Sequence, residues 1–84
     1  MENDLIANLD KLHTTELGII RIKKNLSLVD ADAVAWCKDK IRTANSIVRR
    51  GKNWYAHTND AIITVNAHSF TIITAHKAKQ AKLK

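Results

Sequence analysis

The stretch that decides the fold runs from Gly51 to Lys77 and reads GKNWYAHTNDAIITVNAHSFTIITAHK. It contains three of the chain's four aromatic residues and three of its four histidines. Two apolar runs, AIITV and FTIIT, are separated by short polar segments of the kind that reverse a chain. This pattern predicts antiparallel strands, whereas the sequence on its N-terminal side has the spacing of helices.

Four strands are expected, joined by short turns. The first begins at Ile47. The other three run from Asn53 to Thr58, from Ala61 to Asn66 and from Phe70 to His76. Two-residue turns are predicted at Arg50-Gly51 and at Asn59-Asp60. The second turn sets Trp54 opposite Val65 and Ala56 opposite Ile63, which makes a core face, and it sets Tyr55 opposite Thr64 and His57 opposite Ile62 on the other face.

The last hairpin is the harder one to place, because its turn contains no glycine. A three-residue turn at Ala67-His68-Ser69 puts Ile73 and Ala75 in the core, and it puts Ile72, Thr74 and His76 on the polar face. A two-residue turn would reverse these faces, since a slip of one residue turns every side chain over. We favour the three-residue turn, because positive φ angles at Ala67 and His68 would be strained.

Three helices are predicted before the sheet. The first spans Met1 to Leu12, the second begins near Glu16 with Thr14 or Thr15 as its cap, and the third is capped by Asp30 or Asp32. Gly18 inside the second helix costs about 1 kcal/mol relative to alanine and predicts a close contact there. The fold class is therefore α+β, with three N-terminal helices, then a four-stranded antiparallel β-meander, and the helices on one face of the sheet.

The chain of 84 residues is expected to be a single domain. Its helical part covers residues 1–45, its antiparallel sheet residues 46–77, and a basic tail residues 78–84. The apolar fraction of 45% and the charged fraction of 26% are typical of globular proteins. No stretch has the length and apolarity of a membrane span, and no signal peptide opens the chain, so we expect a cytoplasmic protein without a membrane partner.

Cys37 is the single cysteine, so no intrachain disulfide is expected. It lies within an apolar helical pattern that predicts a buried, unreactive thiol. The histidines and Cys37 lack the paired spacing of zinc sites, so we expect no metal and no cofactor.

The net charge of +6 is unevenly distributed. Residues 1–30 carry four basic and five acidic side chains, whereas from Lys40 onward nine basic residues face a single acid, Asp60. A polarised basic half predicts an anionic partner, with RNA or another nucleic acid first. The alternative is that the charge serves solubility alone.

The expected polar face carries groups suited to RNA chemistry, namely Tyr55, His57, Thr64, Asn66, Thr74 and His76. Histidine titrates near neutral pH, so one such group can take the 2′-hydroxyl proton while another protonates the leaving oxygen. The candidate catalytic residues are His13, His76, Thr74 and Tyr55. The candidate nucleic-acid-binding residues are Arg21, Lys24, Arg49, Arg50, Lys52 and Lys77. The alternative for all of them is a solvated polar surface without chemistry.

Four segments, LDKLHTTELGIIRIKKNL, GKNWY, ITVNA and TIITAHK, resemble a family of small bacterial and mobile-element proteins of unknown function. The resemblance covers about residues 9 to 77. More distantly, the layout is similar to the barnase–EndoU–colicin–RelE group of ribonucleases, which cut RNA without metal. That second resemblance implies roles for His13, Arg21 and Thr74, with His76 and Lys77 just beyond the matching final strand.

Two hypotheses of different class follow. The first is a basic RNA-directed protein that acts as a metal-independent, toxin-type endoribonuclease. The second is a non-enzymatic inhibitor or interaction protein of a phage or mobile element, similar to an anti-CRISPR protein, that binds a nuclease or a nucleic-acid groove. A homodimer paired through edge strands is compatible with both.

Overall fold

The computed structural model describes residues 4–28 and 32–78. The helices are α1 (Asp4–Ala7), α2 (Glu16–Leu26) and α3 (Ala33–Arg42). The strands are β1 (Ser46–Arg50), β2 (Asn53–His57), β3 (Ala61–Asn66) and β4 (Ile72–Lys77). They form one antiparallel sheet in the order β1-β2-β3-β4. The predicted α+β class, with three helices before a four-stranded antiparallel meander, is therefore confirmed.

Some predictions fall on residues that the structure does not describe. These are the start of the first helix at Met1, Asp30 as an alternative cap, and residues 79–84 of the basic tail. Within the described ranges, no helix is long and apolar enough to cross a membrane.

The prediction of one continuous helix from Met1 to Leu12 is wrong, because α1 ends at Ala7 and a 3-10 turn follows at Leu9–Lys11. Asn8 causes the break. Its side-chain amide donates to the carbonyl of Asp4 at 2.9 Å, so a local side-chain bond competes with the helical ladder. The three leucines of the predicted apolar stripe, Leu5, Leu9 and Leu12, are nevertheless all buried.

The next two helices begin at capping residues that the sequence predicted. The Thr15 hydroxyl accepts from the backbone N–H of Gly18 at 3.0 Å, and it starts α2. The Asp32 carboxylate accepts from Val34 and Ala35 N–H groups at 3.0 and 3.1 Å, and it starts α3. Each cap satisfies helix N–H groups that have no partner inside the helix.

Helices and sheet contribute to one buried cluster. From the helical part it contains Leu5, Leu9, Leu12, Ile22, Leu26, Ala33, Cys37 and Ile41, and from the sheet Trp54, Ala56, Ala61, Ile63, Val65, Ile72 and Ala75. Burial raises the pKa of the Cys37 thiol to about 12, which keeps it in the unreactive thiol form. The predicted buried, unreactive cysteine is confirmed.

The pairing of β2 with β3 matches the prediction residue by residue, including Trp54 with Val65 and Tyr55 with Thr64. The turn between β1 and β2 does not match. It lies at Gly51-Lys52, one residue later than predicted, so that Arg50 pairs with Asn53. Gly51 has a φ of +62° at the first turn position, which is where a type II′ turn requires glycine.

The last hairpin differs from the prediction in two ways that partly cancel. Its loop has four residues rather than three, because Asn66 N–H donates to the Thr71 carbonyl and Val65 pairs with Ile72. A β-bulge then shifts the pairing by one residue, so that Thr64 pairs with Thr74. Ala75, Thr74 and His76 therefore take their predicted faces. Ile72 is buried and Ile73 exposed, the reverse of the prediction.

The outer edge of β4 is covered by the helical part of the chain. Ile72 N–H donates to the His13 carbonyl at 2.7 Å, and the Thr14 hydroxyl donates to the Ile72 carbonyl at 2.8 Å. Further along, the Asn25 amide donates to the Ala75 carbonyl at 3.2 Å. These bonds satisfy strand groups that would otherwise be available to another chain.

An ion pair attaches α3 to the turn between β2 and β3. Lys40 Nζ lies 3.1 Å from Asp60 Oδ2. Hydrogen bonding from Lys40, with a smaller contribution from Thr58, lowers the pKa of Asp60 below its ordinary value of 3.8. The Asp60 side chain remains 56% exposed, so solvent screens the pair and its contribution to stability is small.

We predict that Gly18→Ala fails to stabilise the protein, although alanine is favoured in a helix by about 1 kcal/mol. A Cβ at Gly18 would overlap the Thr14 hydroxyl, which would have to leave the Ile72 carbonyl at a cost of about 1 kcal/mol. In a Thr14→Ala background the overlap with the hydroxyl is absent, while contacts of 3.3 Å to the Thr14 Cβ and the Thr15 hydroxyl remain, so Gly18→Ala is expected to be more favourable there than in the wild type by about 1 kcal/mol. Urea unfolding of the four proteins measures the difference. Equal stabilisation in both backgrounds would contradict the prediction.

We also predict that Asp60→Asn reduces the acid sensitivity of folding. Because the folded pKa of Asp60 is lowered, its ionised form contributes stability that is present above about pH 4 and lost as the pH falls through the folded pKa. The variant should be less stable at pH 7 by a few tenths of a kcal/mol, as for exposed ion pairs. The difference in the free energy of unfolding between the wild type and the variant should narrow as the pH falls toward 2. Lys40→Gln should remove the same pH-dependent component, and a gap that widens on acidification would refute this.

Candidate functional site on the open sheet face

The sheet has one face that is not part of the buried cluster, which we call the open face. The strand register arranges its side chains in three rows across the sheet. The first row is Ser46–His57–Ile62–His76, the second is Val48–Tyr55–Thr64–Thr74, and the third is Arg50–Asn53–Asn66. Most of these side chains are exposed or half-buried, and Thr64 at the centre is buried.

His57 and His76 lie on either side of the same residue. Ile62 on β3 pairs with His57 on β2 and with His76 on β4. Since neighbouring strands lie about 4.8 Å apart, the two histidine Cα atoms are separated by about 10 Å with both side chains on the open face. Partly buried Ile62 forms the floor between them. The register therefore places the two histidines on either side of the Ile62 side chain, at the edge of both cavities described below.

The open face contains a cavity of about 400 Å³ beside this row. It is lined by Val48, Arg50, Tyr55, His57, Ile62, Thr64 and His76. Among the described residues, no hydrogen bond or ion pair engages the polar ends of His57, His76, Tyr55 or Arg50. These side chains are therefore available to a ligand.

A second cavity of about 380 Å³ lies on the other side of the histidine row. Its lining residues are His57, Thr58, Ile62, His76, Lys77 and Ala78. His57, Ile62 and His76 are common to both cavities. The row thus separates two spaces of similar size.

The charge on this surface is positive. Neither set of lining residues contains an aspartate or glutamate, whereas Arg50 lines the first cavity and Lys77 the second. Asp60, the only acid after Asp39, is already paired with Lys40. An anion approaching the open face meets cations and titratable rings without an opposing carboxylate in the lining.

His13 lies elsewhere and has both ring nitrogens engaged. Nδ1 lies 2.9 Å from the Lys11 carbonyl, so it carries the proton and donates. Nε2 lies 3.1 Å from the Thr71 hydroxyl, which engages the second ring nitrogen. Thr71 lies 2.7 Å from the Ser69 hydroxyl, which continues the network toward the loop. His13 thus joins the segment before α2 to the start of β4.

His13 and His76 are not brought into one cavity. The partner of His13 in the sheet region is Thr71, five residues before His76, and five strand residues span about 17 Å. His13 lines neither cavity on the open face. The histidine that shares a site with His76 is His57.

The other predicted site residues are dispersed. Tyr55 lines the first cavity, and Thr74 lies in the same row with its hydroxyl 3.5 Å from the Asn25 amide. Arg49 is on the opposite face, where its guanidinium lies 5.8 Å from the Trp54 ring centroid and donates to the Gly51 carbonyl. Arg21 and Lys24 are exposed on α2, and Lys52 is exposed in the β1–β2 turn. These last three line neither cavity.

The sequence prediction missed two features of the site. His57 was expected on the polar face but was not named as an acid or base, although its pairing with Ile62 was correctly predicted. The partners of His13 were also missed, since Thr71 is 58 residues away and no local pattern indicates the contact. In residues 4–28 and 32–78, no three His, Cys, Asp or Glu side chains form a group that could hold a metal ion.

The chain matches the model of a protein family described as "Protein of unknown function (DUF3781)" over residues 6–76. The match covers most of the chain and agrees with the predicted membership of a small family of unknown function. Neither the curated proteins nor the solved structures give a significant match. The motif pattern and the likeness to ribonucleases therefore stay predictions.

Proposed function

The chain belongs to this DUF3781 family, and we propose from its open face that it binds RNA and cleaves it by histidine acid–base chemistry. The observation that carries the proposal is the pair His57 and His76. Both flank Ile62, and neither ring has a partner among the described residues. Two imidazoles on either side of one residue, both lining the same cavity, could act as the acid and the base on one phosphodiester.

The proposed reaction uses the RNA's own 2′-hydroxyl. One imidazole takes the 2′-hydroxyl proton as the oxygen attacks phosphorus, and the other, protonated, gives its proton to the leaving 5′-oxygen. The O2′–P bond forms, the P–O5′ bond breaks, and the products are a 2′,3′-cyclic phosphate and a 5′-hydroxyl. The protonation states of the two rings are exchanged, so no other reactant is needed.

Other residues of the open face would bind the substrate. Arg50 and Lys77 supply positive charge on either side of the histidine row, which suits a polyanion and the charge that develops on the phosphorane. Tyr55 offers an aromatic ring to a base. The proposal also requires the helices to lie on the opposite face, which is consistent with the shared burial of the helices and the Trp54 face.

His13 receives a different role in this proposal. Its ring nitrogens are bound to the Lys11 carbonyl and the Thr71 hydroxyl, so neither is available to a substrate while those contacts hold. We propose that it positions the start of β4 and takes no part in proton transfer.

We predict that the protein cleaves single-stranded RNA in the presence of EDTA. His57→Ala and His76→Ala should each lower the rate by about 10²-fold or more, the size expected for loss of a general acid or base. The measurement is gel analysis of a 5′-labelled oligonucleotide and of total RNA, tRNA and ribosomes. Cleavage products should end in a cyclic phosphate.

His68→Ala is the matched control, because His68 is exposed in the loop before β4 and lines neither cavity. It should cleave at the wild-type rate. Circular dichroism of each variant separates loss of chemistry from loss of folding. Wild-type protein that leaves every RNA intact, or histidine variants that retain full activity, would rule out the ribonuclease proposal.

A second candidate, a non-enzymatic protein that binds another protein, is favoured by α2. Leu17 and Ile20 are 68% and 63% exposed on this helix, and large exposed apolar side chains are common at protein interfaces. This candidate corresponds to the phage-type inhibitor, and a homodimer paired through edge strands remains compatible with both candidates. It requires binding to one purified partner, or to a second copy, that is lost in Leu17→Ser and is unaffected by His57→Ala.

A further inference from the structure

We propose that the RNA bound at this site is single-stranded and lies along β3, with one nucleoside on each side of the histidine row. This inference rests on the proposed function, and it adds the class of RNA that is bound and the path of the strand across the sheet. The observation behind it is the presence of two cavities, about 400 and 380 Å³, that meet at His57, Ile62 and His76. A scissile phosphate held at the row has an accessible space before it and another after it.

The two cavities differ in chemistry. The first has the aromatic ring of Tyr55 and the apolar side chain of Val48, with Arg50 at its far end. Apart from the residues of the shared row, the second is lined by Thr58, Lys77 and the small Ala78, with no tyrosine, tryptophan or phenylalanine. A base stacks in the first cavity, whereas the second is suited to a ribose and the phosphate attached to it.

The second cavity is held in place by backbone contacts. Ala78 N–H donates to the Asp60 carbonyl at 3.1 Å, which joins the end of β4 to the β2–β3 turn. Thr58 uses its hydroxyl within the same turn, where it accepts from Ala61 N–H at 2.9 Å. Lys77 is the basic residue in the lining of this cavity, and because it pairs with buried Ala61 it leaves β4 on the side opposite to His76.

The positions of the two cations define the length of the site. Arg50 belongs to the row that ends at Asn66 of β3, and Lys77 pairs with Ala61 at the other end of that strand. Five strand residues separate these positions, a distance of about 17 Å. A span of this length, with the histidines between the cations, fits a short oligonucleotide better than a mononucleotide.

Stacking of a base on Tyr55 requires the bound RNA to be single-stranded. The tyrosine ring lies in a cavity on the sheet surface, and a base can stack on it only after leaving its own stack. In an A-form duplex the bases are stacked and paired, and the wide groove presents their edges and the 2′-hydroxyls. Sequence-tolerant stacking on an aromatic ring beside a basic groove is typical of single-strand binding.

The test uses the full chain and a fluorescent dodecamer of 2′-O-methyl RNA, which cannot be cleaved by attack of its own 2′-oxygen. Fluorescence anisotropy should show at least tenfold tighter binding of the single strand than of the same sequence in a duplex. Tyr55→Leu should weaken binding by about tenfold, the size expected for one stacked base. Tyr55→Phe, which keeps the ring, should bind as the wild type does.

The charge contacts are tested by the salt dependence of binding. Arg50→Gln and Lys77→Gln should each reduce the slope of log Kd against log salt by about 0.7, as for one phosphate contact on a single strand. Lys52→Gln is the matched control, since it removes the same charge from the exposed turn outside both cavities. It should leave the slope unchanged.

The outcomes separate this inference from the proposed function. Equal affinity for duplex and single strand, or unaltered binding by Tyr55→Leu, overturns the single-strand inference even if the protein cleaves RNA. Tight single-strand binding with the predicted variant effects supports it even if cleavage is absent. Failure to bind any RNA overturns both.

Discussion

The β-bulge between β3 and β4 is the constraint on which the open face depends. After the four-residue loop, Val65 pairs with Ile72, and this frame buries Ile72. Continued without a bulge, the same frame would pair Ile63 with Thr74 and turn His76 toward the core side. The extra residue, Ile73, moves the frame by one position, so that Ala75 is buried and His76 is exposed. One inserted residue thus allows Ile72 and Ala75 both to be buried, and it puts a second histidine beside Ile62.

The bulged strand β4 is bonded along its outer edge to the helical part of the chain. The His13 backbone, the Thr14 hydroxyl and the Asn25 amide all reach backbone groups of this strand. Gly18 lets α2 begin close enough for the Thr14 contact, because any side chain there would overlap the hydroxyl. The positive φ of Phe70, 61°, lies at the end of the same loop, and its ring packs 5.4 Å from that of Trp54. Packing of that ring offsets the strain of a left-handed conformation in a bulky residue.

Much of this architecture could be predicted from the sequence, and the parts that could not have definite causes. The β2–β3 register follows from alternation on both strands around a turn of Asn59 and Asp60, residues that tolerate turn geometry. Thr15 and Asp32 cap helices because their side chains accept from free N–H groups. By contrast, the length of the last loop and the position of the bulge depend on which of two adjacent isoleucines, Ile72 or Ile73, is buried. Both have the same hydrophobicity, so the sequence does not distinguish the two arrangements. Asn8 breaks a helix by a hydrogen bond that apolar spacing does not report.

The same distinction explains the candidate site. Tyr55, Thr74 and His76 could be assigned to one face because alternation predicts faces. Whether a given histidine is available depends on its partners, and those are set by tertiary contacts such as the one between His13 and Thr71, which no local pattern encodes. His13 stands next to two threonines at a break between helices, which by sequence favours a projecting side chain, yet the fold uses both of its nitrogens as a structural link. His57 is in an ordinary strand position, and the fold leaves its ring unpartnered among the described residues, beside a second free histidine and without a nearby unpaired carboxylate. The proposed pair of His57 and His76 therefore rests on availability and on a shared neighbour, Ile62, rather than on sequence context.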